Sequence, residues 1–469
     1  MMLHSDTLAK SPPSCSSLLA GLLAGWALLS GPAEGAAASQ NAISDAATDA
    51  PRTTVERVAE LIEDKYFDAA KGAAIAASLR AAAQSGEFDP LRQPRELASG
   101  LTSLLHPLDH HFRIIVSGDR DGRAAGGASA DFADPSSAER RTAYGFRRVE
   151  MMPGAIGYID LQSFAYLSTA KRDDPGRAAA NAALQLVAGA DAIIIDLRDN
   201  VGGSTDMAAY LVSAFTAPGA NIYDVIHWRN GIDSERPTLP YPRPRLDVPL
   251  YLLISARTAS AAEAAAYALQ ASGRALLVGE KSAGAANVGG VFPVDENLGV
   301  FIPIGTPINP LTGSNWENKG IVPDFVVPAE AALPYAQQLA LTTALARDGD
   351  GPQAAYTRAV LEAVRAQAAH PAGPPLNSYA GVYSGTVVTA GDNLLTLRQG
   401  NRMPSTLLRL TGDTFFDQDD PARRIVFERA TGGTITGLRL IYANGHELWF
   451  PARAVALPPL PLPGTAGAP

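Results

Sequence analysis

Cysteine is nearly absent. Cys15 is the only one in 469 residues. No disulfide framework, CxxC zinc site or cysteine-held cluster can form within the chain. Histidine is sparse too, at seven residues, and no HExxH motif of a helical zinc protease occurs. A basic excess is also missing. Lys and Arg number 38 against 47 Asp and Glu, a net charge of -9. That excludes a general electrostatic nucleic-acid binder. No apolar run reaches the roughly 20 residues of a membrane span. The longest, Leu18–Leu29, has the length of a signal-peptide core.

What is present suits a packed protein of several domains. Hydrophobic residues make up 46% and charged residues 18%, so a large core can form. Gly 43 and Pro 35 indicate many turns. The apolar run, with Lys10 before it and GAAAS after it, predicts a signal peptide over 1–38 and an exported mature chain. If it stays uncleaved, it is the sole membrane contact. Residues 39–51, rich in Ala, Ser and Asp, read as a tether.

Helical periodicity begins at Thr53, where Thr53 and Glu56 have capping-box spacing. Further helices are expected over 69–84 and 94–105, giving a helical subdomain over 52–116. Residues 117–140 read as a loop. From 141 to 348 strands and helices alternate: AIGYIDL, a helix over 176–189, AIIIDL, a helix over 205–216, PLYLLI, a helix over 260–272, ALLVG, and a helix over 329–347. This order predicts a parallel or mixed sheet with crossover helices. A helical linker (349–374), a small β-domain of short strands (375–455) and a Pro-rich tail (456–469) complete the chain.

Four clusters could carry chemistry. The run Asp196–Gly203 (DLRDNVGG) follows a buried strand, and its glycines can open amide N–H groups to an oxyanion. Arg257–Glu263 (RTASAAE) places Ser260 at a helix N-terminus, suited to a nucleophile. Ser260 and Glu263 equally fit a plain capping box. Asp109-His110-His111 offers a general base. Trp316–Asp324 (WENKGIVPD) offers a carboxylate that could orient it.

In this order, together with LIEDKYFD, GYIDLQSF, GRALLVGEKSAGAAN and AALPYAQQLAL, the clusters resemble the S41 serine peptidases over about 52–345. Within that family the tail-specific and tricorn-core group is nearest, especially the branch similar to interphotoreceptor retinoid-binding protein. The resemblance implies a crotonase-like or ClpP-like α/β core under an N-terminal helical subdomain. It implies peptide hydrolysis through an acyl-enzyme, with Ser260 as nucleophile, His111 as base and Glu317 as its support. Gly202, Gly203 and Ala261 would form the oxyanion and substrate-binding turn. No metal or other cofactor is implied.

Two departures stand out. Tail-specific proteases use a Ser–Lys dyad, but Ala285 occupies the lysine position, so the His–Glu version must carry the activity. The serine that links base and glutamate in tricorn-like sites is also missing, since His110 and Phe112 flank His111. No PDZ domain is apparent. The expected partner is a peptide or unfolded protein. The alternative is a weak or inactive relative that binds an apolar ligand or a peptide. Acyl-thioester chemistry on the crotonase-like core is a third reading, and export argues against it. The oligomeric state is not legible.

Overall fold

The computed structural model describes residues 36–117 and 135–453. The expected signal segment up to residue 35, most of the expected loop (118–134) and the Pro-rich tail lie outside the described residues. The end of that loop is instead a short helix, α4 (Pro135–Arg141). Among the described residues, no helix is long and apolar enough to cross a membrane.

Helix α1 (Ala36–Lys65) begins earlier than expected and takes in residues 39–51, read above as a tether. Alanine-rich sequence has the highest intrinsic helix propensity, which a compositional reading of small residues overlooked. Helices α2 (Ala69–Gln84) and α3 (Pro94–Leu105) follow, with Asp68 capping α2 through Lys71 N–H. Val58, Ile62, Leu79, Leu101 and Leu105 of these helices are buried together.

Their partner is a sheet that periodicity did not reveal. Strand β1 (Arg113–Val116) pairs with β10 (Leu298–Ile308), and Leu298, Val300 and Ile302 of β10 face the helices. Strands β5 (Val225–Trp228), β6 (Gly231–Ser234) and β9 (Val288–Pro293) complete it.

The main sheet is six-stranded, in the order β11-β8-β7-β4-β3-β2. Its strands are β2 (Phe146–Met152), β3 (Ile156–Leu161), β4 (Ala192–Asp196), β7 (Leu250–Ile254), β8 (Leu276–Gly279) and β11 (Phe325–Val326). Strands β3, β4, β7 and β8 are parallel, while β2 is antiparallel. The continuous apolar runs of β3, β4 and β7 are buried along their full length. Both faces are covered, as parallel sheets require. Helices α5 (Pro175–Leu186), α6 (Thr205–Ser213) and α7 (Ala261–Ala271) cover one face. Helices α8 (Ala329–Asp348) and α9 (Pro352–Ala369) cover the other. This is the mixed α/β core expected.

Beyond α9, strands β12 to β19, from Gly381–Tyr383 to Glu447–Arg453, form a closed antiparallel barrel. Val382 pairs with Arg453 to close it. Leu395, Leu407, Phe415, Ile425, Phe427 and Leu438 fill the interior, as eight strands leave room for little else. Phe416 docks the barrel against Ala363 and Ala366 of α9.

Candidate active site

Two strand-to-helix loops meet at the carboxyl ends of β4 and β7. Ala259 N–H donates to Asn200 C=O (3.1 Å), and Thr258 Oγ1 donates to Leu197 C=O (2.7 Å). The Asn200 side chain holds the turn from within. It donates to Leu161 C=O (2.9 Å) and accepts from Gly202 N–H (2.8 Å).

The two glycines of this turn have different duties. Gly202 (φ +107°) lies against the nucleophile loop, and a Cβ there would come within 2.8 Å of Ser260 Cβ. Its N–H is already used by Asn200, so Gly202 shapes the turn and supplies no oxyanion donor. Gly203 (φ +132°) crosses Phe164 so closely that a Cβ would sit 2.1 Å from the Phe164 carbonyl oxygen. Among the described residues, no hydrogen bond engages the N–H of Gly203 or of Ala261. These two amides are the donors left for an incoming anion.

Ser260 is exposed and precedes α7. Asp68, Asp174 and Ser204, which cap other helices, all have ordinary extended backbone with negative φ. Ser260 instead has φ 54°, ψ -124°. A non-glycine residue in that region costs about 1–3 kcal/mol and must be held by its surroundings. Glu263 does the holding. It is fully buried. Its Oε2 accepts from Ser260 N–H (3.0 Å) and Ala285 N–H (2.8 Å). Its Oε1 accepts from Gly284 N–H (2.7 Å) and from the Ser282 hydroxyl. Burial pushes the Glu263 carboxyl above its ordinary range in spite of these donors. Ser260 and Glu263 have capping-box geometry, and the return bond to Ser260 N–H is one of several that the carboxylate makes. Sequence reading treated Glu263 as a cap alone, because its other partners lie far along the chain.

His111 stands just before β1, and its ring lies over Phe301 of β10 (centroids 6.5 Å apart). Its Nδ1 is 3.0 Å from Asp109 Oδ1 and 3.4 Å from Glu317 Oε1. The histidine and glutamate expected to work together therefore do meet, without an intervening serine. His110 turns away and pairs with His106 at 3.3 Å. Glu317 Oε2 accepts from Ala286 N–H (2.8 Å) and Asn287 N–H (2.9 Å). Burial opposes charge on His111, but the hydrogen bond to Asp109 and the negative charges of Asp109 and Glu317 outweigh it and raise the imidazole to about 9.

The stretch 284–287 ties the two halves together. The amides of Gly284 and Ala285 hold Glu263 on the serine side, and those of Ala286 and Asn287 hold Glu317 on the histidine side. Ala285, at the position where a Ser–Lys enzyme carries its lysine, contributes only a backbone donor. Among the described residues, no hydrogen bond joins Ser260 to His111. Apo catalytic contacts are often loose before substrate binds.

Asp109, His111 and Glu317 are also a group whose ligand atoms lie within 4.8 Å of one another. Asp109 already accepts from Tyr66, Asn287 and His111, so its oxygens are occupied by protein donors. Asp109, Glu263, Ser282 and Asn287 are the site residues sequence reading missed. Asp109 had a local signal in the D-x-H spacing and Glu263 in the S-x-x-E spacing, while Ser282 and Asn287 had none.

Residues 155–327 match the model of peptidase family S41. Over these residues the chain is similar to that family. Ser260, the Gly202–Gly203 turn and Glu317 lie inside the S41 segment, while His111 lies outside it. A carboxyl-terminal-processing protease of Picosynechococcus sp. is 31% identical over 183 residues, covering 37% of this chain and 40% of that protein. Carboxyl-terminal-processing peptidase 1, chloroplastic, of Arabidopsis thaliana is 30% identical over 191 residues, covering 40% and 37%. The chain thus spans about two fifths of the length of these curated relatives. Among solved structures, the photosystem II D1 C-terminal processing protease aligns with a TM-score of 0.39 and 16% identity, covering 60% of this chain and 94% of that one. A putative peptidase from Parabacteroides merdae gives 0.41 and 16%, covering 59% and 90%.

Proposed function

We propose that the protein is an exported serine-type endopeptidase that cleaves peptides or unfolded proteins through an acyl-enzyme on Ser260. One observation carries the reading. Ser260 is exposed on strained backbone at a helix N-terminus, beside two unengaged amides, those of Gly203 and Ala261. An ordinary cap needs neither the strain nor the free donors.

In the first step Ser260 Oγ attacks the peptide carbonyl while His111 takes its proton through Nε2, the ring nitrogen not turned to the carboxylates. The Gly203 and Ala261 N–H groups receive the oxyanion, helped by the α7 dipole. The carboxylates at Nδ1, among them Glu317, stabilise the imidazolium. His111 then gives the proton to the leaving amine, and water releases the acyl group. Export rests on the apolar run Leu18–Leu29 and the small residues after it.

A second reading, a latent relative that binds a peptide or an apolar ligand, is favoured by the missing Ser260–His111 contact. The barrel would not serve an apolar ligand, since its own side chains fill it.

The test is incubation of residues 39–469 with unfolded protein and a mixed peptide pool, read by mass spectrometry beside Ser260→Ala. Cuts made only by the wild type establish the peptidase and its preference. Equal, negligible cutting by both proteins moves the assignment to the latent reading.

A further inference from the structure

The base has a second carboxylate, Asp109 of its own D-x-H stretch, which lies outside the family match and is given no role by the motif order. Asp109 lies two residues before His111, and one oxygen serves it twice. Asp109 Oδ1 accepts from the His111 backbone N–H (3.0 Å) and lies 3.0 Å from Nδ1 of the ring. A carboxylate that binds its own i+2 amide forms a compact local turn. The ring is thus aimed by the residue's own stretch of chain.

The other oxygen is fixed separately. Asp109 Oδ2 accepts from the Tyr66 hydroxyl (2.9 Å) and the Asn287 side-chain amide (3.3 Å). Asp109 is 4% exposed, so these contacts are shielded from water. Burial and the nearby carboxylates raise the Tyr66 hydroxyl far above its ordinary range, which keeps it a donor.

Glu317 differs. Its Oε2 is held by backbone amides, but Oε1, the oxygen nearest the ring, is buried and makes no hydrogen bond. It stands 3.4 Å from Nδ1, an ion-pair distance. Nδ1 carries one proton, and a single proton points at one acceptor.

We propose that Asp109, and not Glu317, holds the Nδ1 proton of His111, making Asp109 the positioning residue of the base and leaving Glu317 a through-space charge. The inference rests on His111 being the base, as above. It gives a physical reason why the relay works without a serine beside His111. No link to the glutamate is needed when the orienting acid is two residues away.

The test reads the proton directly. In Ser260→Ala protein, nuclear magnetic resonance would follow the His111 Nδ1–H signal with Asp109→Asn and with Glu317→Gln added singly. The signal is expected to persist in E317Q and to vanish in D109N, where an amide can donate to Nδ1 and force the other tautomer. In otherwise wild-type enzyme, D109N should lower kcat about a thousandfold or more, as loss of the correct tautomer does elsewhere. It should also move the acid limb of the pH profile to lower pH, which a merely structural role would not do. E317Q should cost about tenfold, through charge alone. Loss of the Nδ1–H signal in E317Q overturns the proposal, whatever D109N does. Should D109N fail to fold, E317Q alone still decides. The signal does not depend on Ser260 chemistry, so a protein that cuts nothing yet keeps its proton in E317Q sinks the peptidase reading and spares this one.

Discussion

His111 binds a proton more tightly than an ordinary imidazole because two carboxylates face its Nδ1. With the ring at about 9, only about one molecule in a hundred carries a neutral base at pH 7. For the proposed peptidase, kcat/KM should climb about tenfold per pH unit from 7 and level off near 9. A pH–rate profile flat between 7 and 9 would show that another group limits the rate. The same shift bears on stability. The folded value lies above the unfolded value of 6.5, so the contribution is complete below 6.5 and is lost as pH rises through about 9. His111→Gln should therefore lower Tm more at pH 6 than at pH 9.5, by scanning calorimetry. Glu263 belongs to the same scale. Replacing it by Ala strands buried donors at Ser282 and Gly284 and half-buried ones at Ser260 and Ala285. The expected cost is about 3 kcal/mol or more, measured by denaturant unfolding.

At the scale of elements, the crossing of Gly203 over Phe164 is the most constrained contact in the site. Gly203→Ala puts a methyl group into the Phe164 carbonyl and forces a φ that L residues avoid. It should abolish cleavage, while Gly189→Ala, where a Cβ meets nothing within 4 Å and φ is not positive, should leave cleavage intact. The principal helices and strands of the core were legible in the sequence for simple reasons. The runs of β4 and β7 are continuously apolar, and α3 has Leu97, Leu101 and Leu105 on one face. The second sheet was not legible. Strands β5 and β6 have four residues each, too short for a period to show, and β9 carries a Gly-Gly pair that reads as a turn. The site divides the same way. Ser260, Gly203 and His111 stood in recognisable local patterns. The partners of Glu263 did not, because amides carry no sequence signal.

At the scale of the molecule, the α/β core, the helical layer and the barrel each have their own apolar cluster. The short strands of the barrel could be read from their turns, but its closure could not, since pairing of Val382 with Arg453 is set by the whole circuit. Phe416, with Leu408 and Leu410 beside it, is the fully buried apolar contact between the barrel and α9. Phe416→Asp should loosen that docking by about 3 kcal/mol, seen as a separate, earlier thermal transition and faster cutting by a nonspecific protease near residues 370–380. A single unchanged transition would mean that other contacts hold the barrel. The stretch 284–287 has a consequence at this scale too. Neighbouring links of one chain serve opposite partners, so a slip of one residue would hand one acid a donor that belongs to the other. Nucleophile and base therefore share one ruler, and an insertion or deletion there cannot spoil one without misplacing the other.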